Sequence, residues 1–217
     1  MMSSRNALRI VLWAALAVPL AAACESKEDA KVDGVLIPQA DGVFEPPDGA
    51  TLAVDDATID AARVPAGARV VRLAIGRKVL WSQVQALLRK VEAAGAQPVL
   101  LAGSWHHVKA ILLEDEWPGG RALQVMAYID GKACVQPPGA IEAKCVQSGT
   151  KQYIERAYLR ELVREQVRMF DIPQVEVEIP ATLPWADVVR TIDGARTCCK
   201  GTTIRVHFKP ADQPAPG

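Results

Sequence analysis

The sequence predicts an α+β fold of two related strand–helix–strand units, each a small mixed sheet with helices packed on one face. Three observations predict it. Apolar residues alternate at Val71, Leu73 and Ile75, and again at Val175, Val177 and Ile179, the period-two mark of half-buried strands. Each run leads into a segment of helical spacing, Trp81, Val84, Leu87, Leu88 and Val91 in the first case and Trp185, Val188 and Ile192 in the second. The two stretches superpose at an offset of 104 residues, which sets Trp81 on Trp185, Val84 on Val188 and Leu88 on Ile192. With one residue inserted after the helix, Val99 and Leu101 fall on Ile204 and Val206. Self-similarity at a fixed offset marks one supersecondary unit used twice.

Residues 1–23 stand apart from that pattern. Arg5 and Arg9 precede an uncharged run from Ile10 to Ala23 that is too short to span a bilayer comfortably, so the stretch reads as a secretory signal. It ends in Ala21-Ala22-Ala23-Cys24, which resembles the bacterial lipoprotein signal, where small residues precede a cysteine that is lipidated and becomes the new N-terminus. Leu20 lies one position from the usual leucine of that pattern. The resemblance implies a lipid anchor on Cys24 and a protein held in the cell envelope facing the periplasm. Acyl chains contribute about 0.8 kcal/mol per buried methylene, so several on one cysteine hold a protein at a membrane that it does not cross. Residues 24–50, with Lys27, Glu28, Asp29, Lys31 and then Pro38, Pro46 and Pro47, read as a flexible tether.

The remaining chain divides in two. Residues 51–117 form the first βαβ-like unit, a partial repeat. Leu52, Val54, Thr58 and Ile59 suit a short strand and turn, Val70–Ile75 a strand, Trp81 to Gly95 a helix that Gly95 ends, and Pro98–Ala102 a strand. Val108–Leu113 suits a short helix or a strand, and Glu114-Asp115-Glu116 with Trp117-Pro118-Gly119-Gly120 reads as a solvated acidic turn and linker. Residues 121–209 form the second unit. Leu123, Val125, Ala127 and Ile129 alternate up to Asp130-Gly131, a hairpin turn signal, and Ala133 and Val135 continue on the return strand. Gln136–Thr150 is a polar excursion. Tyr153–Phe170 is the clearest helix, expected to bury Ile154, Tyr158, Leu162, Val163, Val167 and Phe170, with Glu161/Arg164 and Glu165/Arg168 paired along it. Residues 210–217, with three prolines, read as a loose tail.

The order of elements in the second unit resembles the periplasmic domain of the ExbD/TolR family, the small stator partners of proton-driven motors in the bacterial envelope. Its carrying motifs are Leu123-Gln-Val-Met-Ala-Tyr-Ile-Asp-Gly131-Lys132, Val175-Glu-Val-Glu-Ile179 and Leu183-Pro-Trp-Ala-Asp-Val-Val189. The last is similar to the family's Val-Pro-Tyr-x-x-Val-Val, with Trp185 in the tyrosine position. Val79-Leu-Trp-Ser-Gln-Val84 looks like the last half of the same module. Stators of the family carry a transmembrane helix with a proton-transferring aspartate, whereas Ile10–Ala23 has no acidic residue onto which that role transfers. The resemblance therefore implies a non-enzymatic binding module without the motor helix. Its expected partners are peptidoglycan or an energy-transducing envelope protein.

With 25 basic and 25 acidic residues the chain has no net charge, and no basic patch argues for a nucleic-acid partner. Apart from Cys24 it has four cysteines, an even number that suggests disulfides in an exported chain. Because neighbouring cysteines rarely bond each other comfortably, two cross-links from Cys134 and Cys145 to Cys198 and Cys199 are favoured. The rival is a Cys134–Cys145 loop bridge that leaves Cys198 and Cys199 as a vicinal bridge or free thiols. His106 and His107 beside Trp105 lack a third ligand at metal spacing, so no metal site is read there. His207 reads as an outward strand position, and Trp81 and Trp185 as helix-to-sheet core or its rim. No nucleophile elbow or phosphate-binding glycine loop points to catalysis, so neither catalytic residues nor a cofactor are expected. Two other roles fit the same residues: thiol redox or metal handling through Cys198-Cys199, and a structural assembly subunit whose strands pair between copies.

Overall fold

The computed structural model of the chain describes residues 30–104, 107–111, 113, 121–147, 153–199 and 204–208. The leader, Cys24, Trp105, His106, Glu114 to Gly120 and the tail of residues 210–217 lie outside the described residues. The fold is α+β, and its first half contains strands β1 (Lys31–Val32), β2 (Val35–Leu36), β3 (Ala50–Val54) and β4 (Val70–Ile75), then helix α1 (Trp81–Ala93) and strands β5 (Gln97–Ser104) and β6 (His107–Ile111). The second half contains β7 (Leu123–Ala127), β8 (Lys132–Gln136), β9 (Lys144–Gln147), α2 (Arg156–Phe170), β10 (Gln174–Glu178), α3 (Trp185–Arg196) and β11 (Arg205–Phe208).

Two mixed sheets result, in the orders β3-β4-β5-β6 and β11-β10-β7-β8-β9. Each is built around three parallel strands, β3-β4-β5 in one and β7-β10-β11 in the other, and in each a helix joins the second strand to the third. The registers correspond. Leu52 faces Leu73 in the first sheet as Val125 faces Val177 in the second. The duplication thus begins one strand earlier than the sequence pattern shows. What differs is the insert: a single 3-10 turn at Ile59–Ala61 lies between β3 and β4, while β8, β9 and α2 lie between β7 and β10.

The units meet through equivalent segments. The backbone N–H of Trp81 donates to Leu183 O (2.9 Å) and that of Trp185 to Val79 O (2.7 Å); Ser82 N donates to Ala181 O (2.9 Å) and Ala186 N to Arg77 O (3.1 Å). At the repeat offset, each bond maps onto its partner with the units exchanged, so a local two-fold passes between the bridged residues Leu80 and Pro184. The first N–H groups of a helix have no acceptor within it, and here each helix start finds one in the other unit. Trp81 and Trp185 stack beside this joint, their ring centroids 6.0 Å apart and 7° from parallel. One apolar core, including Leu73, Val84, Val125, Leu159, Val175 and Trp185, runs through both units.

Residues 30–50 overturn the tether expectation. The β1–β2 hairpin, turning at Asp33 and Gly34 with positive φ, opens a strap that crosses the face of the first sheet opposite α1. Ile37 is fully buried there with Ala74, Val99, Leu101 and Ala110. Gly103 N donates to Pro38 O (2.8 Å), Ala40 N to Gly103 O (3.0 Å), and Ala110 and Phe44 exchange backbone bonds (2.9 and 3.0 Å). The strap's apolar residues are sparse and aperiodic, so composition hid them. The unbroken run Val99-Leu100-Leu101-Ala102 carries the signal, since only a strand covered on both faces reads as continuously apolar.

Smaller corrections follow from the same packing. Val108–Leu113 resolves in favour of a strand, β6 antiparallel to β5, and the polar excursion contains β9. Helix α2 starts at Arg156 rather than Tyr153, and its buried stripe is Leu159, Leu162, Val163, Gln166 and Val167. Tyr158 and Phe170, expected inside, are 55% and 37% exposed. Glu161 pairs with Arg164 (3.0 Å) as spaced, but Glu165 pairs with Lys144 of β9 (2.6 Å) instead of Arg168. Gly95 ends α1 with φ +75°, and Gly131 turns the β7–β8 hairpin with φ +79°.

Candidate binding surfaces and cysteine sites

The cysteines pair differently from the favoured cross-links. Strand β9 sets Cys145 directly opposite Cys134 of β8, Cα atoms 4.0 Å apart, with the sulfurs at disulfide distance. The cross-links were favoured on the discomfort of a bond between neighbouring cysteines; the β8–β9 register instead brings Cys145 to Cys134, which is the rival arrangement. Cys198 and Cys199 close α3, and their sulfurs also stand at disulfide distance. Cys198 is buried in the core and Cys199 is half-buried against it.

One cluster was invisible in the sequence. Asp193 lies on α3, 3% exposed, and its carboxylate accepts from the backbone N–H groups of Asp41 (3.0 Å) and Gly42 (2.6 Å) and from Arg156 Nη1 of α2 (2.7 Å). Arg156 Nη2 and Arg160 Nη2 reach Asp41 Oδ2 at 3.1 and 2.9 Å. Two arginines thus balance two carboxylates, and a charge held this way is tolerated because its donors replace water. The arrangement ties the strap on the first unit to α2 and α3 of the second. Gly194 supports it: a Cβ there would meet Leu159 Cδ2 at 3.2 Å and Arg156 O at 3.3 Å, so glycine lets α2 approach. The signal was an Asp-Gly pair inside a helix otherwise rich in core residues, from Val188 to Ala195. Asp187, six residues earlier, accepts from Arg190 Nη1 (2.7 Å) and Ile154 N (3.2 Å) in the same manner.

Two surfaces have the shape of contact sites. The second sheet carries helices on one face only, and register places His207, Glu176, Gln124 and Gln136 in one row across four strands on the other. A notch of about 190 Å³ opens beside this row, lined by Gln124, Gln136 and Glu176 and rimmed by the turn from Pro137 to Ala140. Gln136 Nε2 donates to Ala140 O (2.7 Å), which fixes the side chain against that turn. His207, expected to point outward, does lie across the sheet from core residue Val206, yet is only 5% exposed. The second surface is a groove of about 580 Å³ along α1 and strands β5 and β6, with Trp81, Leu88, Leu100 and Ile111 as its apolar lining and Arg89 and Glu92 at its side. His107 is exposed on β6, Trp81 is 4% and Trp185 0% exposed.

Among the described residues, Asp55 has its carboxyl clearly displaced by its surroundings. The Thr58 hydroxyl holds its carboxyl below the ordinary value of 3.8; desolvation opposes this, and the backbone N–H groups of Ala57 and Thr58 add to the lowering. That is a turn-forming role.

Comparison with known proteins gives no family model, no curated protein and no solved structure that matches the chain. Among the described residues no helix is long and apolar enough to cross a membrane. No group of three or more histidine, cysteine or acidic side chains among them could hold a metal ion.

Proposed function

We propose that the chain is a membrane-anchored periplasmic lipoprotein acting as a non-enzymatic binding module of the bacterial envelope, related to ExbD/TolR periplasmic domains but without the motor's transmembrane helix. Cys24 carries the lipid, and the folded body binds peptidoglycan or an envelope protein. The observation that carries this reading is the polar row on the helix-free face of the second sheet. Amide and carboxylate side chains there stand on rigid strands beside a small notch, which suits a ligand rich in hydroxyl and amide groups. Two units locked through their helix starts supply the rigid support such a face needs.

The test is co-sedimentation of the mature chain with purified peptidoglycan sacculi, with affinity capture from solubilised envelopes alongside it. Retention by one of them, lost in a Gln124→Ala/Glu176→Ala variant that keeps its melting temperature, is expected. Retention no greater than that of an unrelated lipoprotein in both assays overturns the reading.

A further inference from the structure

We propose that Cys198 and Cys199 form a redox-responsive joint between α2 and α3, so that a dithiol reductant loosens the hold of the second unit on the strap. The pair sits where three elements converge. Arg164 Nε of α2 donates to Cys198 O at 2.9 Å, while Arg164 Nη1 is held by Glu161 at 3.0 Å. Thr197, immediately before the pair, returns its hydroxyl to Asp193 O at 2.5 Å, and a Cβ on strap residue Gly42 would lie 3.0 Å from Thr197 Cγ2. Asp193 is the residue that grips the strap backbone. A bond between adjacent cysteines closes a small ring through the peptide that joins them, fixing the direction of the Cys198 carbonyl. Opening the ring frees the two torsions on either side of that peptide, and the charge-assisted bond to Arg164 loses its fixed acceptor.

Burial decides how the step runs. Cys198 is 1% exposed and Cys199 half-buried, so attack falls on Cys199. One thiolate of the reductant attacks Cys199 Sγ, forming a mixed disulfide and breaking the bond to Cys198 Sγ, which leaves as a thiolate and takes up a proton. The second thiol of the reductant then attacks its own mixed-disulfide sulfur and releases Cys199, which is protonated in turn. The dithiol ends as a disulfide, having given two electrons to the protein. This inference does not depend on the proposed binding role.

The experiment is hydrogen exchange read by mass spectrometry on the mature chain, across mixtures of reduced and oxidised dithiothreitol, with thiols mapped by alkylation at each ratio. When Cys198 and Cys199 become alkylatable, the amides of Asp41, Gly42 and residues 193–199 should exchange roughly tenfold faster, the scale set by losing one hydrogen bond to a charged group. The Cys134→Ser/Cys145→Ser variant should respond in the same way, which assigns the effect to the helix pair. Arg164→Gln should exchange fast already when oxidised, with reduction adding nothing. Unchanged exchange after both thiols are alkylatable overturns the joint, as does full alkylation of Cys198 and Cys199 in the untreated, air-oxidised protein.

Discussion

Asp193 is a buried carboxylate whose oxygens accept from two backbone donors and an arginine in place of water. Removing it leaves two strap N–H groups without their acceptor and Arg156 held by Asp41 alone, and an unsatisfied group of this kind costs about 1–3 kcal/mol. Asp193→Ala should therefore lower the unfolding free energy read from urea curves by an amount of that order, whereas Glu142→Ala, in an exposed bend, should change it little. Asp55 gives stability a pH dependence through the turn after β3. Its folded carboxyl titrates below the ordinary value, so its contribution is complete above that value and is lost as pH falls through the lower, folded one. Asp55→Asn should flatten that acid limb in a series of denaturation curves; an unchanged limb would refute the role given to Thr58. Neither residue was legible in advance, because a polar side chain on a helix or in a turn looks solvated until the element that covers it is known.

Elements were legible where burial falls on one face. Strand β10 and helices α1 and α2 show that period, α3, buried on nearly every side, was legible through its offset from α1, and the Asp130-Gly131 hairpin is set by its turn chemistry. The strap and β9 escaped for opposite reasons: the strap covers a sheet with few, unevenly spaced apolar residues, and β9 is an edge strand exposed over most of its length. The offset repeat foretold that Trp81 and Trp185 are equivalent but not that they touch. Truncating either to alanine in a packed core costs about 3–5 kcal/mol. A double-mutant cycle on the two should show roughly 0.5–1.5 kcal/mol of coupling from the stack itself, and additive effects would place the rings in independent environments. Ile37→Ala probes the strap. Amides of Gly103 and Ala110, which donate to strap carbonyls, should lose exchange protection in that variant, while the Trp81 and Trp185 amides at the joint keep theirs.

At the scale of the molecule, the two halves behave as a pair of related modules sharing one core, with the chain's first described segment strapped over one half and clamped to the other. Ala30, already buried against the first sheet, lies six residues beyond Cys24. The repeat and the α+β class were readable from period and offset alone. The course of residues 30–50 was not, and the cysteine pairing was legible only as one of two alternatives, because the choice depends on which strands become neighbours. Mass spectrometry of the protein recovered from bacterial envelopes, with and without reduction, tests the anchored-module reading most directly. The predicted result is a mature chain beginning at an acylated Cys24, with Cys134 linked to Cys145. An unmodified Cys24 within an uncleaved leader would contradict it.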